Sequence, residues 1–166
     1  MLGQSVFSEA KRSAQIVNIL RRGRPLQPAT ITRLRALFPN LDLESVKVRT
    51  RCRMPSNQFR QTGNIYAMTF GYTIYWRDDL DEGDSGDLVK LIHELVHVDQ
   101  VRRTGGESEF ACEYGRGYLE GGGILPAYID EVTAYHRNPL EAEAYNFDSQ
   151  FRDDAGHPVA SRLPPG

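Results

Sequence analysis

Cysteine is scarce, with Cys52 and Cys112 the only two in 166 residues. Two distant cysteines build neither a disulfide framework nor a cysteine-ligated zinc knuckle, so both are expected to be reduced, partly buried, small apolar residues. An excess of charge of one sign is lacking too. A formal net charge of −2 and a pI near 6.1 give no reason to expect nucleic acid or an anionic membrane as partner. No apolar stretch approaches the roughly 18 residues of a bilayer-spanning helix. The opening residues, Met1 to Arg12, lack the basic segment followed by an apolar one that marks a secretory signal. The protein is therefore expected to be cytoplasmic as synthesised, or to leave by a route that needs no such signal.

Histidine is sparse as well, and its placement is informative: two of the four fall in residues 91–98, which read Leu-Ile-His-Glu-Leu-Val-His-Val. His93, Glu94 and His97 fill an H-E-x-x-H pattern inside a run that is apolar at helical spacing. Four residues is a little over one helical turn, which brings the two histidine Cβ atoms to roughly 5–6 Å apart on one face. Two imidazoles so placed can converge on one ion. Zinc takes such nitrogens at roughly 2.0–2.1 Å and keeps a position open for water in catalytic sites. Glu94, one residue round the helix, then faces that water as general base. The competing reading, histidines that are ordinary core residues of an amphipathic helix, is weaker because three rare positions seldom match this spacing by chance. Ser85 or Asp87 is placed to cap the helix start, and Arg102, Arg103 and Gly105-Gly106 supply its end. Leu88, Leu91, Ile92, Leu95 and Val96 form a packing surface. The motif residues lie along its boundary with Gln100 or Val101, which predicts a site at a cleft edge.

Residues 4–22 carry apolar positions at helical spacing, and Pro28 opens a second helix that Pro39-Asn40 ends. From Ser45 to Met54 the period changes to two. Val46, Val48, Cys52 and Met54 point one way, and Lys47, Arg49, Arg51 and Arg53 the other, as in a half-buried strand. The four cations lack interleaved aromatics to stack bases, so this face reads as solvated. Residues 64–77 read as two strands turning near Phe70-Gly71. The acidic connection from Asp78 to Asp87 lacks EF-hand spacing and reads as a loop. Glu107 to Leu119 is expected to be helical despite Gly115 and Gly117, and Pro126 opens a short helix reaching Tyr135. Asn138-Pro139 caps and starts another, with Leu140, Ala144, Phe147 and Phe151 as its core stripe. This length holds one ordinary core. The expectation is an α+β fold: a single domain over 1–152, with N-terminal helices to 40 and a small, mainly antiparallel sheet over 41–80. The motif helix and a C-terminal helical lobe then span 85–152, and 153–166 form a flexible tail.

A peptidase zinc usually takes a third protein ligand. The metzincin solution is excluded, since it needs Gly three and His six residues after the second histidine, where this chain has Gln100 and Arg103. Downstream carboxylates and His136 remain. The best placed are Glu141 and Glu143, which flank the stripe of the Asn138 helix on opposite sides. Each has a plainer role available, Glu141 as capping-box partner of Asn138 and Glu143 as a solvated helix charge. Helical geometry does not choose between them.

Three blocks carry a resemblance: Ala-Met-Thr-Phe-Gly-Tyr-Thr-Ile-Tyr-Trp at 67–76, His-Glu-Leu-Val-His-Val-Asp-Gln at 93–100, and Asn-Pro-Leu-Glu-Ala-Glu-Ala-Tyr at 138–145. Together they resemble the metallopeptidase domain found with extracellular contractile injection systems and bacterial toxin cassettes. More broadly they resemble gluzincins, zinc peptidases whose third ligand is a glutamate on a later helix. The resemblance spans about residues 40–150 and implies a zincin-like fold, one Zn2+ per chain, a peptide or protein substrate and association with a secretion or contractile injection system. The ligand glutamate of gluzincins often opens a Glu-x-x-Ala pattern, matched here by Glu141 with Ala144, so the resemblance favours Glu141 and keeps Glu143 in reserve. It also suggests Tyr135 as hydrogen-bond donor to the oxyanion. By the same analogy, Ala67, Met68 and Thr69, or else Thr73 to Tyr75, form the edge strand along which substrate adds. One position departs from the pattern. Many gluzincins carry an acidic residue four after the third ligand to orient a zinc histidine, and this chain has Tyr145 there. The expected function is a zinc-dependent metallopeptidase with Glu94 as general base. The alternative is a zinc-binding module of weak or no activity acting as an effector or injection-system component.

Overall fold

The computed structural model of the protein describes Arg12 and residues 22–54, 65–120 and 137–165. Apart from Arg12 and Arg22, the helix expected over 4–22 lies outside these residues, as do the short helix from Pro126, His136 and the expected oxyanion donor Tyr135. In chain order the described elements are β1 (Arg24–Pro25), α1 (Pro28–Leu34), β2 (Lys47–Arg49), β3 (Ala67–Phe70), β4 (Thr73–Trp76), α2 (Ser85–Thr104), α3 (Glu107–Glu120) and α4 (Pro139–Asp148). Short 3₁₀ turns cover Leu43–Ser45, Ser149–Phe151 and Ala160–Arg162.

The sheet is ordered β1-β2-β4-β3, with β1/β2 and β3/β4 antiparallel and β2/β4 parallel. The α+β expectation holds, with one parallel pairing inside the mainly antiparallel sheet. Phe70 faces Thr73 across a two-residue hairpin turn in which Gly71 takes a φ of +58°, a backbone that side chains rarely adopt. Strand alternation then assigns the two faces. Val48, Ile74 and Trp76 join Leu88, Leu91, Ile92 and Leu95 of α2 in the main core. Tyr75 and Phe70 point the other way and form a smaller cluster with Cys52, Met54 and Met68.

The strand expected from Ser45 to Met54 is shorter. Arg51 stands at a φ of +54°, outside the pleat, so the alternation is broken there. Cys52 and Met54 therefore pack with Tyr75 and not, as expected, with Val46 and Val48. Two of the four cations make contacts here. Arg51 grips Asp79 with two hydrogen bonds of 2.8 Å, and the Arg49 guanidinium lies 5.3 Å from the centre of the Tyr75 ring.

Helix α2 runs for 20 residues because both ends are closed. Asp84 is its cap, one position before the expected Ser85, and accepts from the Asp87 backbone N–H at 2.9 Å. Gly105 ends it at a φ of +96°. The helix is central, with residues from Leu88 to Val101 almost continuously buried; among the described residues the sheet packs on one side and α3 and α4 on the other. A close approach makes the second layer possible. A Cβ at Gly117 would lie 2.7 Å from Asn138 Oδ1 and 2.9 Å from Pro139 Cδ, so only glycine lets α3 meet the start of α4 this tightly. Buried Asn138 exploits the gap, capping α4 by accepting from Leu140 N–H at 3.1 Å and donating from Nδ2 to the Tyr114 carbonyl at 3.1 Å.

The tail differs from its expectation. Leu163 is buried in the main core, Arg33 Nε donates to the Pro164 carbonyl at 2.5 Å, and Arg152 bridges to Pro158 in an isolated β pairing. Burying a leucine contributes about 1.5–3 kcal/mol, enough to seat a polar segment that composition alone reads as loose.

Candidate metal centre

α2 presents His93 and His97 on one face, with ring centroids 5.0 Å apart and ring planes at 81°. α4, packed across that face, brings in Glu141 from its first turn. His93 Nε2 lies 3.6 Å from Glu141 Oε2, and His97 Nε2 lies 3.6 Å from Glu141 Oε1. One ligand atom from each of the three residues falls within 4.8 Å of the others, and all three residues are buried. A tetrahedral centre with bonds of roughly 2.0–2.1 Å separates its ligand atoms by roughly 3.4 Å. These spacings therefore suit a small divalent cation.

The hydrogen bonds behind the rings set the tautomers. His97 Nδ1 is 2.8 Å from Gln100 Oε1, while Gln100 Nε2 donates to the Leu140 carbonyl at 2.9 Å and to Glu143 Oε2 at 3.1 Å. Both of those partners only accept, so the amide must turn its oxygen to the ring and Nδ1 must carry the hydrogen. His93 Nδ1 faces Asp148 Oδ2 at 3.4 Å, again an acceptor. Both Nε2 atoms thus aim at the Glu141 carboxylate. Asp148 is itself held by Arg152, whose Nη2 donates to Oδ2 at 3.2 Å, and Arg152 is tied to the tail by a bond from Nη1 to the Gly156 carbonyl at 3.0 Å.

The electrostatics favour positive charge between these groups. Burial pushes the His93 imidazole down, but Asp148, Glu141 and the charge of Glu94 outweigh it and raise its pKa to about 10. His97 moves the same way against its own burial, through Glu141 and Glu94. Burial raises Glu141, yet His97 and His93, with Tyr114, hold it below the usual carboxylate range. Tyr114 Oη donates to Glu141 Oε1 at 2.6 Å, and burial followed by the Glu141 charge keeps the phenol protonated. Among the described residues, Glu141 Oε2 is buried with no hydrogen-bond partner. An orphaned carboxylate oxygen is costly unless something positive meets it, so the donor set fits a zinc ion.

Glu94 is held from the sheet side. Thr69 Oγ1 donates to Glu94 Oε2 at 2.6 Å, and the Thr69 side chain reaches α2 because it shares the Ile74 face of the sheet. β3 is the last strand of the described sheet, so Ala67, Met68 and Thr69 stand at its edge.

His93, Glu94, His97, Glu141 and Thr69 are thus brought to one place. Glu143 is not: its carboxylate is about half exposed, turned to Arg103 and Gln100. Sequence reasoning missed Asp148, the roles of Gln100 and Tyr114, and the bond from Thr69 to Glu94. Two left a readable signal, since Gln100 is three residues after His97 and Asp148 is seven, or two helical turns, after Glu141. The other two depend on packing between distant segments. Tyr145, in the position where a carboxylate was looked for, stacks edge-on to His93 at 4.7 Å.

Residues 25–105 match the family model of the eCIS core domain, which associates the chain with extracellular contractile injection systems. The matched stretch is just under half of the chain. It includes His93, Glu94 and His97 and stops before Tyr114, Glu141 and Asp148. No curated protein and no solved structure matches the chain.

Proposed function

We propose that the domain is a zinc-dependent peptidase that acts as part of, or as cargo of, an extracellular contractile injection system. The observation that carries this reading is the Glu141 carboxylate set between the two imidazoles: buried Oε2, without a hydrogen-bond partner among the described residues, faces His93 Nε2, and Oε1 lies 3.6 Å from His97 Nε2. His93, His97 and Glu141 would hold the metal. When bound, zinc supplies a Lewis acid that makes water more acidic and stabilises negative charge on a carbonyl oxygen.

The chain's own residues account for the rest of the chemistry. Glu94 accepts a proton from water as its oxygen bonds to the peptide carbonyl carbon, and returns that proton to the amine nitrogen as the C–N bond breaks. Thr69 occupies Glu94 Oε2, which leaves Oε1 as the oxygen that takes and gives the proton. Asp148 and Gln100 keep the Nδ1 hydrogens of the two histidines engaged, so the Nε2 lone pairs face inward. Ala67, Met68 and Thr69 offer edge-strand backbone to an extended peptide, which adds as a further strand and lies across Glu94.

The test compares zinc-loaded wild type with Glu94→Gln on a peptide library, with metal content measured in parallel. Glu94→Gln is expected to retain one zinc per chain and to lose hydrolysis by roughly 10²–10⁴-fold. If zinc-loaded wild type cleaves no member of the library, the peptidase reading is overturned in favour of a zinc-holding module without turnover.

A further inference from the structure

Resting on the metal reading above, we propose that Tyr114 is a positioning residue that makes Glu141 a one-oxygen ligand, engaging Oε1 so that Oε2 alone is presented to the ion. The two carboxylate oxygens have different surroundings. Each lies 3.6 Å from one histidine Nε2, Oε1 from His97 and Oε2 from His93, but Oε1 also accepts from Tyr114 Oη at 2.6 Å, whereas buried Oε2 has no hydrogen-bond partner among the described residues. A carboxylate with both oxygens free can close on a cation with both. One oxygen committed to a short phenol bond disfavours that rotation and leaves a coordination position for water.

The bond is built into the packing. Tyr114 lies on α3 and Glu141 on α4, and the two helices are joined beside it by a second tie, Asn138 Nδ2 to the Tyr114 carbonyl at 3.1 Å. Asn138 also caps α4 three residues before Glu141. Gly117, one turn beyond Tyr114, is the residue whose missing Cβ allows this contact. The phenol and the carboxylate are thus fixed to each other through backbone and side chain together. A tyrosine packed for bulk alone would not need its hydroxyl on a buried charge.

The experiment is cobalt and zinc titration of wild type, Tyr114→Phe and Tyr66→Phe, with the visible spectrum of the Co(II) forms recorded. Wild type is expected to give the intense absorption of four-coordinate Co(II). Tyr114→Phe is expected to bind zinc about 10–100-fold more weakly and to show the weaker bands of higher coordination. Tyr66 is half exposed, with its ring against Arg77 and Lys90, and Tyr66→Phe is expected to match wild type. Tyr114→Phe with wild-type affinity and spectrum would overturn the inference and leave the metal site standing. An equal loss in Tyr66→Phe would overturn the specific role of Tyr114. Uptake of neither ion by wild type would overturn the metal reading itself. Should Tyr114→Phe fail to fold, X-ray absorption of the zinc-loaded wild type decides instead: one carboxylate oxygen at bonding distance is expected, and two would overturn the inference.

Discussion

The two sides of α2 are built on different principles. On the sheet side, Ile74 and Trp76 join Leu88, Leu91, Ile92 and Leu95 in an apolar core, interrupted by a single polar contact, Thr69 to Glu94. On the helical side, buried His93, His97, Gln100, Asn138, Glu141 and Asp148 form a polar layer between α2 and α4, joined by Tyr114 from α3. Apolar burial is favourable whatever the solution contains. A buried polar layer is stable only when every group is satisfied, and here one carboxylate oxygen is left over. On the proposed reading, the sheet side should fold and hold Glu94 without help, while the helical lobe should depend on the proposed ion.

Removing Glu141, the proposed third ligand, should break the comparison hardest. Glu141→Ala is expected to lose stoichiometric zinc, whereas Glu143→Ala, which removes a half-exposed ion pair with Arg103 and one of the two acceptors of the Gln100 amide, should keep zinc affinity within about fivefold. Elemental analysis of the purified variants checks this, and zinc retained by Glu141→Ala but lost by Glu143→Ala would reverse the ligand assignment. In the same experiment, a chelator should speed hydrogen exchange in α4 far more than in β4 and the first turns of α2. A middle-sized effect is expected from Asp148→Asn, which leaves the His93 ring in place but weakens its partner. Zinc affinity should fall about 10–100-fold, measured by competition with a chromophoric chelator. The smallest effect belongs to the sheet side. Thr69→Val removes a hydrogen bond to a charged group, worth about 1.5 kcal/mol or more, so turnover should fall roughly tenfold while zinc affinity stays at the wild-type value. A loss of zinc in Thr69→Val would show that the two sides of α2 are not independent.

How much of this was legible beforehand varied with the range of the interactions. The hairpin at Phe70-Gly71, the end of α2 at Gly105 and the Asn138-Pro139 start of α4 all rest on neighbours in sequence, and all were expected. The failures came where a local pattern was overridden. Period two across Ser45 to Met54 read as one strand, but Arg51, held by Asp79 and by its own N–H to the Asp78 carbonyl, leaves the pleat and sends Cys52 to the other face. The polar composition after Asp153 read as a tail because one leucine among polar residues carries little weight until it is seen to enter a core. Helix amphipathicity marked the polar boundary of α2 but not its burial: among the described residues both sides are packed, and the polar residues on its second face meet other polar residues.

The sequence by itself determined the pair of imidazoles and the carboxylate between them, because 3.6 residues per turn puts His93, Glu94 and His97 in fixed relation whatever surrounds the helix. It also determined that Glu141 and Glu143 would stand on one short helix behind a proline. Only the tertiary structure decided which of them faces the histidines, which groups hold the rings and the general base, and which carboxylate oxygen is left without a partner. Tyr114, Glu141 and Asp148 come from segments 17 to 51 residues after His97. They meet the motif only because α3 and α4 close over α2, an approach that the missing side chain of Gly117 permits.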